Sequence, residues 1–154
     1  MSPLAARVIV TVLLPFACAW ARWQESAILR RGVPLNDALL ADARRIGVRY
    51  PERVRLRVVD QVPGGMPGWL RKIVTPLGLC SPLTSGMSLR YGIFIRSDCW
   101  GDSPLVRHEL VHTHQYERLG GIRPFLKLYL FECLASPGYP FGPLEQEAKQ
   151  LGDR

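Results

Sequence analysis

Histidine is scarce in this 154-residue chain: all three histidines lie between His108 and His114. The four cysteines form no Cys-x-x-Cys pair, so the sequence predicts no cysteine-based zinc site. Internal repeats and low-complexity tracts are also absent, and the thirteen prolines and fourteen glycines instead punctuate short elements. With 47% apolar and 21% charged residues, this composition predicts one folded domain with a core of its own.

Acidic residues are few in the first part of the chain. Residues 1–100 contain fourteen Lys/Arg and only six Asp/Glu, whereas residues 101–154 contain six and seven. The positive charge therefore lies outside the part that holds the histidines, which argues against a phosphate-binding active site there. A solubilising basic surface and attraction to an anionic membrane surface both remain open, and we do not expect nucleic acid as a partner.

The N-terminus contains an uncharged apolar run at residues 8–21, with Arg7 before it and Arg22 after it. Fourteen residues is short for a membrane-spanning helix and typical of a signal-peptide core or of a buried helix. Trp20 and Trp23, at the end of the run, would suit a membrane interface. The segment therefore indicates either export, attachment to a membrane, or a place in the core.

Small residues within the run offer signal-peptidase positions: Ala17, Ala19 and Ala21. We therefore expect residues 1–22 to be a signal peptide or an N-terminal membrane anchor, and the protein to be exported or membrane-associated on the periplasmic side. The alternative is that the run forms a core helix of a cytoplasmic protein.

Two strands are predicted from alternating sequence patterns. Residues 53–59 alternate arginines with apolar residues. The apolar members of this strand are expected to face inward: Val54, Leu56 and Val58. Residues 89–96 form the second strand, and residues 60–86, rich in proline and glycine, are predicted to be a long loop.

Helical patterns surround the strands. The predicted helices cover residues 36–46, 103–119 and 124–134 and a final segment from Pro143. We expect the helix at 124–134 to be buried and central, because it is apolar on most sides. The order of helices, strand, loop, strand and helices predicts an α+β fold, mainly helical, with residues 23–154 as a single domain.

The histidines frame the pattern His-Glu-x-x-His, from His108 to His112, on a predicted helix. Residues four apart lie on the same face of a helix, so both histidines can direct an imidazole nitrogen to one metal ion. Glu109 lies about 100° around from His108, where it can hold a water molecule without binding the metal itself. His114, about 240° around, cannot converge on the same ion.

A third ligand is needed to complete such a site, and carboxylates follow about 33 residues after His112. Glu145 and Glu147 both lie in the first part of the final predicted helix, where Glu145 opens a Glu-x-x-Ala sequence. Either could instead be an ordinary glutamate favoured by the helix dipole. We expect Glu145 to be the ligand and keep Glu147 as the alternative.

These residues resemble the metal site of zincin metallopeptidases of the gluzincin type, which carry His-Glu-x-x-His on one helix and a ligand glutamate on a later one. Residues 112–121 also resemble a group of small, poorly characterised bacterial metallopeptidases, and the resemblance covers roughly residues 87–150. Several gluzincin families continue from the distal glutamate as Glu-x-x-Ala-Asp, whereas Lys149 stands here where the aspartate would be. The carboxylate that usually supports the ligands from that position is therefore missing.

The resemblance implies zinc-dependent hydrolysis of a peptide or protein substrate by a small zincin-like domain, whose short sheet or edge strands pack against the metal-binding helix. In that interpretation Zn²⁺ is bound by His108, His112 and Glu145, and Glu109 is the catalytic base that activates a water molecule at the zinc. The oxyanion would need a further hydroxyl donor, for which there are three candidates: Tyr91, Tyr116 and Tyr139. Residues 89–95 would pair with an extended substrate. The alternative is a non-catalytic, zinc-stabilised module that associates with a membrane or binds a partner.

Overall fold

The computed structural model describes residues 1–76, 81 and 83–154. In this part of the chain helices and short strands follow one another in the order α1 (Pro3–Arg31), β1 (Val33–Pro34), α2 (Asp37–Ile46), β2 (Arg55–Val59), α3 (Gly68–Val74), β3 (Gly86–Leu89), β4 (Gly92–Arg96), α4 (Ser103–Leu119), α5 (Ile122–Leu134) and α6 (Pro143–Gly152). This arrangement confirms the α+β class and the predominance of helix.

The four strands that the structure describes form one mixed sheet in the order β1-β2-β4-β3. The central pair, β2 and β4, is parallel, and β1 and β3 run antiparallel to their neighbours at the two edges. β4 is buried on both faces, because Ile93 and Ile95 pack with α2 and α4 while Phe94 packs with α1. The edge strand β3 packs against α4, the helix that carries the three histidines.

The segment 89–96, predicted as one strand, is a tight hairpin. β3 ends at Leu89, β4 begins at Gly92, and Arg90 between them has a φ of 68°. Apolar and other side chains alternate in the strands on both sides of the turn. The alternation in the sequence therefore continues through the reversal of the chain and gives no sign of it. The prediction of a single strand was therefore wrong, and the edge strand lies earlier in the chain than expected.

The predicted loop at 60–86 contains a helix, α3, which begins directly after Pro67. Residues 77–80 and 82 of this loop lie outside the described part of the chain. Of the three residues expected to face inward from the first strand, two are buried and the last is 42% exposed: Val54, Leu56 and Val58, in that order. The proline and glycine content of the segment thus gave no indication of the short helix α3. In the strand predicted at residues 53–59, only the first half has the predicted buried face.

α1 runs without a break through residue 22, the predicted end of a signal or anchor segment. Side chains from the first half of the helix cluster with α5, and Ile28 packs on the sheet at Gly92, where a Cβ would lie 3.0 Å from the Ile28 Cβ. The buried positions recur along its whole length: Ala6, Val10, Leu14, Cys18, Ala21, Gln24, Glu25 and Ile28. The N-terminal segment therefore contributes to the core of the fold.

α5 was predicted to be the central buried helix, and this prediction was wrong. Its buried side chains are Ile122, Phe125 and Leu134, whereas Leu128 is 38% exposed. Leu134 clusters with Ala6 near the start of α1, and Phe125 clusters with residues further along α1. The two helices therefore run antiparallel, and α5 lies at the surface of the fold with one side against α1.

An ion pair between the buried Glu25 and the partly exposed Arg90 joins α1 to the hairpin. The carboxylate of Glu25, which is 3% exposed, accepts hydrogen bonds from Arg90 Nε at 2.8 Å and Nη2 at 2.9 Å. It also accepts one of 3.2 Å from the backbone N–H of Tyr91. The Arg90 carbonyl accepts a hydrogen bond of 2.6 Å from Thr113 Oγ1 in α4. These contacts hold the hairpin between α1 and α4.

Arg90→Ala is expected to lower the free energy of unfolding by about 2–4 kcal/mol, because it leaves the buried Glu25 carboxylate without its cation. Arg45→Ala removes a surface pair with Asp42 and should change this free energy by less than about 1 kcal/mol. Urea denaturation followed by circular dichroism measures both variants. If Arg90→Ala lowered the free energy of unfolding by no more than Arg45→Ala, the ion pair with Glu25 would not be a stabilising contact of the hairpin.

Candidate metal centre

Local signals set the ends and the buried side of α4. The Asp102 carboxylate accepts a hydrogen bond of 3.1 Å from the Leu105 N–H at the N-terminus, and Gly120 takes the left-handed conformation, with a φ of 96°, at the C-terminus. Val106 and Leu110 are buried in the cluster that includes the sheet. Another side of the helix is thereby left to present the histidines to α6.

Two histidines and one glutamate converge where α4 meets α6. Oε1 of Glu145 lies 3.2 Å from His108 Nε2, and Oε2 lies 3.4 Å from His112 Nε2. One ligand atom from each of the three residues falls within 4.8 Å of the others. No second group of three metal-binding side chains comes together in the described part of the chain. The His108 side chain is 21% exposed, so the centre opens to solvent on its side.

Close packing of α6 on α4 positions Glu145. A Cβ on Gly152 would lie 3.0 Å from the His108 Cα, so the absence of a side chain allows this approach. The Gly152 carbonyl accepts a hydrogen bond of 2.9 Å from Arg107 Nε, which holds the C-terminal end of α6. From α5, the Tyr129 hydroxyl donates to Glu145 Oε2 at 3.3 Å. Contacts from two helices thus direct the carboxylate to the histidines.

Glu147, the alternative third ligand, is engaged elsewhere. Its carboxylate accepts hydrogen bonds of 2.7 and 2.8 Å from the Arg118 guanidinium and one of 2.8 Å from Gln115 Nε2. The hydrogen bonds from Arg118 hold the pKa of Glu147 below its usual value. It is Glu145, and not Glu147, that the structure places against the two histidines.

Gln115 sets the proton position on His112. Its Oε1 lies 2.8 Å from His112 Nδ1, and its Nε2 donates to the Leu144 carbonyl at 2.9 Å and to the Glu147 carboxylate at 2.8 Å. Because the amide nitrogen is held by these two acceptors, Oε1 accepts its hydrogen bond from Nδ1–H. Nε2 of His112 is then the unprotonated nitrogen, and its lone pair is available to a metal ion.

Gln115→Leu is expected to weaken the binding of a metal ion, with zinc as the probe, about 10- to 100-fold, because His112 Nδ1 loses the acceptor that selects its tautomer. Gln146→Leu is the matched control: the Gln146 side chain donates to the Pro140 carbonyl at 2.8 Å, so its loss should leave zinc affinity unchanged. Competition with a chromophoric chelator measures the affinity of both variants. Wild-type affinity in Gln115→Leu would contradict the role of this hydrogen bond.

The donor set fits a zinc ion. Two imidazole nitrogens and one carboxylate oxygen are ligands that zinc prefers, and three protein ligands leave a fourth position open. The hydrogen bond between His112 and Gln115 provides the outer support that such ligands usually have. Burial opposes the ionisation of Glu145, but the neighbouring imidazole rings of His108 and His112 outweigh it and hold its pKa far below the usual range. The group can therefore hold a metal ion.

Glu109 lies beside the ligands, at the wall formed by β3. A Cβ on Gly86 would come within 2.7 Å of Glu109 Oε1, so glycine leaves the room that the carboxyl group occupies. Burial raises the pKa of this carboxyl group, and the neighbouring His112 and His108 oppose the shift. A buried carboxyl group with a raised pKa is suited to accept a proton and to return it.

A cleft of about 550 Å³ opens in front of Glu109. Its lining includes Thr84 and Ser85, from the segment that leads into β3, and residues of the N-terminal part of α4. His108 and Glu145 belong to its lining. The cleft therefore gives water and a small ligand access to the candidate metal centre.

Of the three tyrosines predicted as hydroxyl donors, Tyr139 lies in the lining of this cleft. Tyr116 is buried, stacks on Phe125 with ring centroids 3.7 Å apart, and donates to a backbone carbonyl of β3. The Tyr91 hydroxyl donates to Glu117 Oε1 at 2.8 Å. Since the other two hydroxyls are already engaged, the geometry favours Tyr139.

The sequence indicated no role in the site for three residues that contribute to it: Gln115, Tyr129 and Gly86. Gln115 could have been found, since a residue three positions after the second histidine lies on the same helix face. The other two belong to different elements, and no local pattern indicates them. His114, in contrast, lies outside the site as its helical angle predicted, with Nδ1 2.9 Å from the Gly47 carbonyl at the end of α2.

The geometry of the centre combines two histidines, a buried glutamate between them and a second buried carboxyl group at a cleft. Its outer hydrogen bonds come from α4, α5 and α6. Comparison with protein-family models, with curated proteins and with solved structures gave no match for this chain.

Proposed function

We propose that this protein is a zinc-dependent peptidase in which His108, His112 and Glu145 hold the zinc ion and Glu109 is the catalytic base. The observation that carries the proposal is the convergence of three ligands at a cleft, next to a buried carboxyl group outside the ligand set. A metal site that only stabilises a fold is usually closed by four protein ligands and has no need of such a group. The resemblance of the His-Glu-x-x-His pattern to gluzincins supports the same chemistry.

The side chains of the site have separate roles in this reaction. Zinc in the site would supply a Lewis acid that polarises the substrate carbonyl and favours the ionisation of water. Glu109 accepts a proton from water in the cleft and returns it to the leaving amine, which its raised pKa favours. Tyr139 donates a hydrogen bond to the developing oxyanion. Gln115 keeps the ring of His112 in the orientation and tautomer that a ligand needs.

The position of the edge strand favours an extended peptide as substrate. β3 is at the edge of the sheet, and Gly86 at its start forms the wall beside Glu109. Extended peptides bind to exposed sheet edges through backbone hydrogen bonds, and side-chain pockets then supply specificity. The backbone that would pair with substrate is therefore the start of β3 at Gly86, and not the longer strand expected from the sequence, because Ser88 and Leu89 are buried and the Ser88 carbonyl accepts a hydrogen bond from Tyr116.

Metal-dependent turnover tests the proposal. Purified protein is expected to hold about one zinc ion per chain, to hydrolyse members of a peptide library, to lose this activity when a chelator removes the metal, and to recover it with added zinc. Zinc that stabilises the fold without any turnover would support the non-catalytic, zinc-stabilised module instead. Protein that binds no zinc would overturn both functions.

A further inference from the structure

The first half of α1 exposes an apolar stripe. Its members recur every four residues and are 74%, 58%, 61% and 73% exposed: Leu4, Val8, Val12 and Phe16. They extend over about 18 Å of the helix axis. A contiguous exposed apolar surface of this kind marks a site of interaction with a membrane or another molecule.

The opposite face of α1 holds the helix on the protein. By length and composition α1 could cross a membrane, and 28% of its most apolar 18-residue window is buried. The buried positions cluster with α5 from Ala6 to Cys18, so the helix cannot separate from the fold without exposing that cluster. A core helix would instead be buried on most sides. α1 therefore has one face in the protein and an apolar face outside it.

Positive charge accompanies the apolar stripe. Glu25, the one acid of α1, is buried against Arg90. Trp23, 60% exposed, lies between the stripe and the basic C-terminal end of the helix. The arginines of α1 are exposed, and within the described part of the chain none forms an ion pair: Arg7, Arg22, Arg30 and Arg31. An exposed apolar stripe, an exposed tryptophan and arginines without ion-pair partners are the features with which a surface helix binds an anionic bilayer, the apolar side chains entering the acyl region and the arginines lying at the headgroups.

We propose that α1 is retained in the mature protein and binds it to an anionic lipid bilayer, with the helix in the plane of the surface and the apolar stripe in the acyl region. Cleavage after Ala17, Ala19 or Ala21 would remove from α5 the side chains it packs on. A second copy of the chain is a poorer occupant, because two α1 faces would bring uncompensated arginines together. This inference does not depend on the proposed hydrolysis.

Vesicle flotation of the full-length protein tests the inference. The protein is expected to float with phosphatidylcholine vesicles that contain phosphatidylglycerol, and less with phosphatidylcholine alone. The triple variant Val8→Ser, Val12→Ser, Phe16→Ser should bind the anionic vesicles at least about tenfold more weakly, because these side chains lie outside the core. Val58→Ser, which removes a 42% exposed apolar side chain from β2, is the matched control and should float like the wild type. Circular dichroism verifies that both variants are folded.

The inference would be overturned if the wild type did not float, if the triple variant floated equally well, or if analytical ultracentrifugation showed a dimer that the triple variant abolishes. Intact mass spectrometry of the protein from the membrane fraction of its cells is an independent measurement. A mass that includes residues 1–22 is expected. A chain that begins at residue 18, 20 or 22 would show that the segment is removed.

Discussion

Glu109→Gln is expected to lower kcat for peptide hydrolysis by at least about 10³-fold while zinc binding stays unchanged. The amide keeps the shape of the side chain beside Gly86, but it cannot accept and return a proton. Glu109 is not one of the three residues whose ligand atoms converge, so the metal site should stay intact. Steady-state kinetics on one peptide from the library, with zinc measured on the same sample, checks both expectations.

Glu117→Gln is the matched control for this experiment. Glu117 lies on the same helix, but its carboxylate accepts hydrogen bonds from the Tyr91 hydroxyl and from the backbone N–H of Arg49 and Tyr50. The variant should therefore keep its kcat. Full turnover in Glu109→Gln would contradict its role as the base, and loss of zinc in that variant would mean that Glu109 binds the metal.

Glu145→Ala is expected to weaken zinc binding by more than about 100-fold, whereas Glu147→Ala should weaken it by no more than about 10-fold. The Glu145 oxygens lie 3.2 and 3.4 Å from the two histidine nitrogens, so the alanine variant loses one of three ligands. Glu147 acts only through the hydrogen bond that orients Gln115. Zinc content after gel filtration and competition with a chelator measure both affinities.

The two glutamate variants share a helix and a change of side chain, so each controls for the other. Peptide hydrolysis by Glu145→Ala should fall together with its zinc content. If only the Glu147→Ala variant lost zinc, the third ligand would be Glu147 and not Glu145. Equal retention of zinc in both variants would show that neither glutamate is a ligand.

The ends of the helices could be predicted because their signals are local. Asp102 and Gly120 each act within one turn of α4, and the Asn36 side chain caps α2 in the same way. The reversal at Arg90 could not be predicted in this manner. A non-glycine residue with a φ of 68° has no turn signature, and the contact that holds it comes from Glu25, 65 residues earlier in the chain.

In the candidate site, too, the features set within one helix could be predicted, and those set by contacts between helices could not. The spacing within α4 was enough to bring together His108, His112 and Glu109, since the positions of all three depend on the geometry of one helix. The choice between Glu145 and Glu147 depends on which face of α6 meets α4, because the two positions are about 200° apart on the helix. That contact is set where Gly152 packs on the backbone of His108, and no periodicity indicates it. Zinc and hydrolysis remain predictions from the donor set and its surroundings.

The hydrogen-bonded path from His112 through Gln115 and Glu147 ends at Arg118, whose side chain is 45% exposed. A protein engineer who wanted a graded zinc sensor would therefore begin at Arg118 and not at the ligands. With zinc bound as proposed, substitutions at Arg118 are expected to leave the ligand side chains in place and to change zinc affinity through the orientation of the His112 ring. A set of such variants would provide a series of metal affinities adjusted from the protein surface.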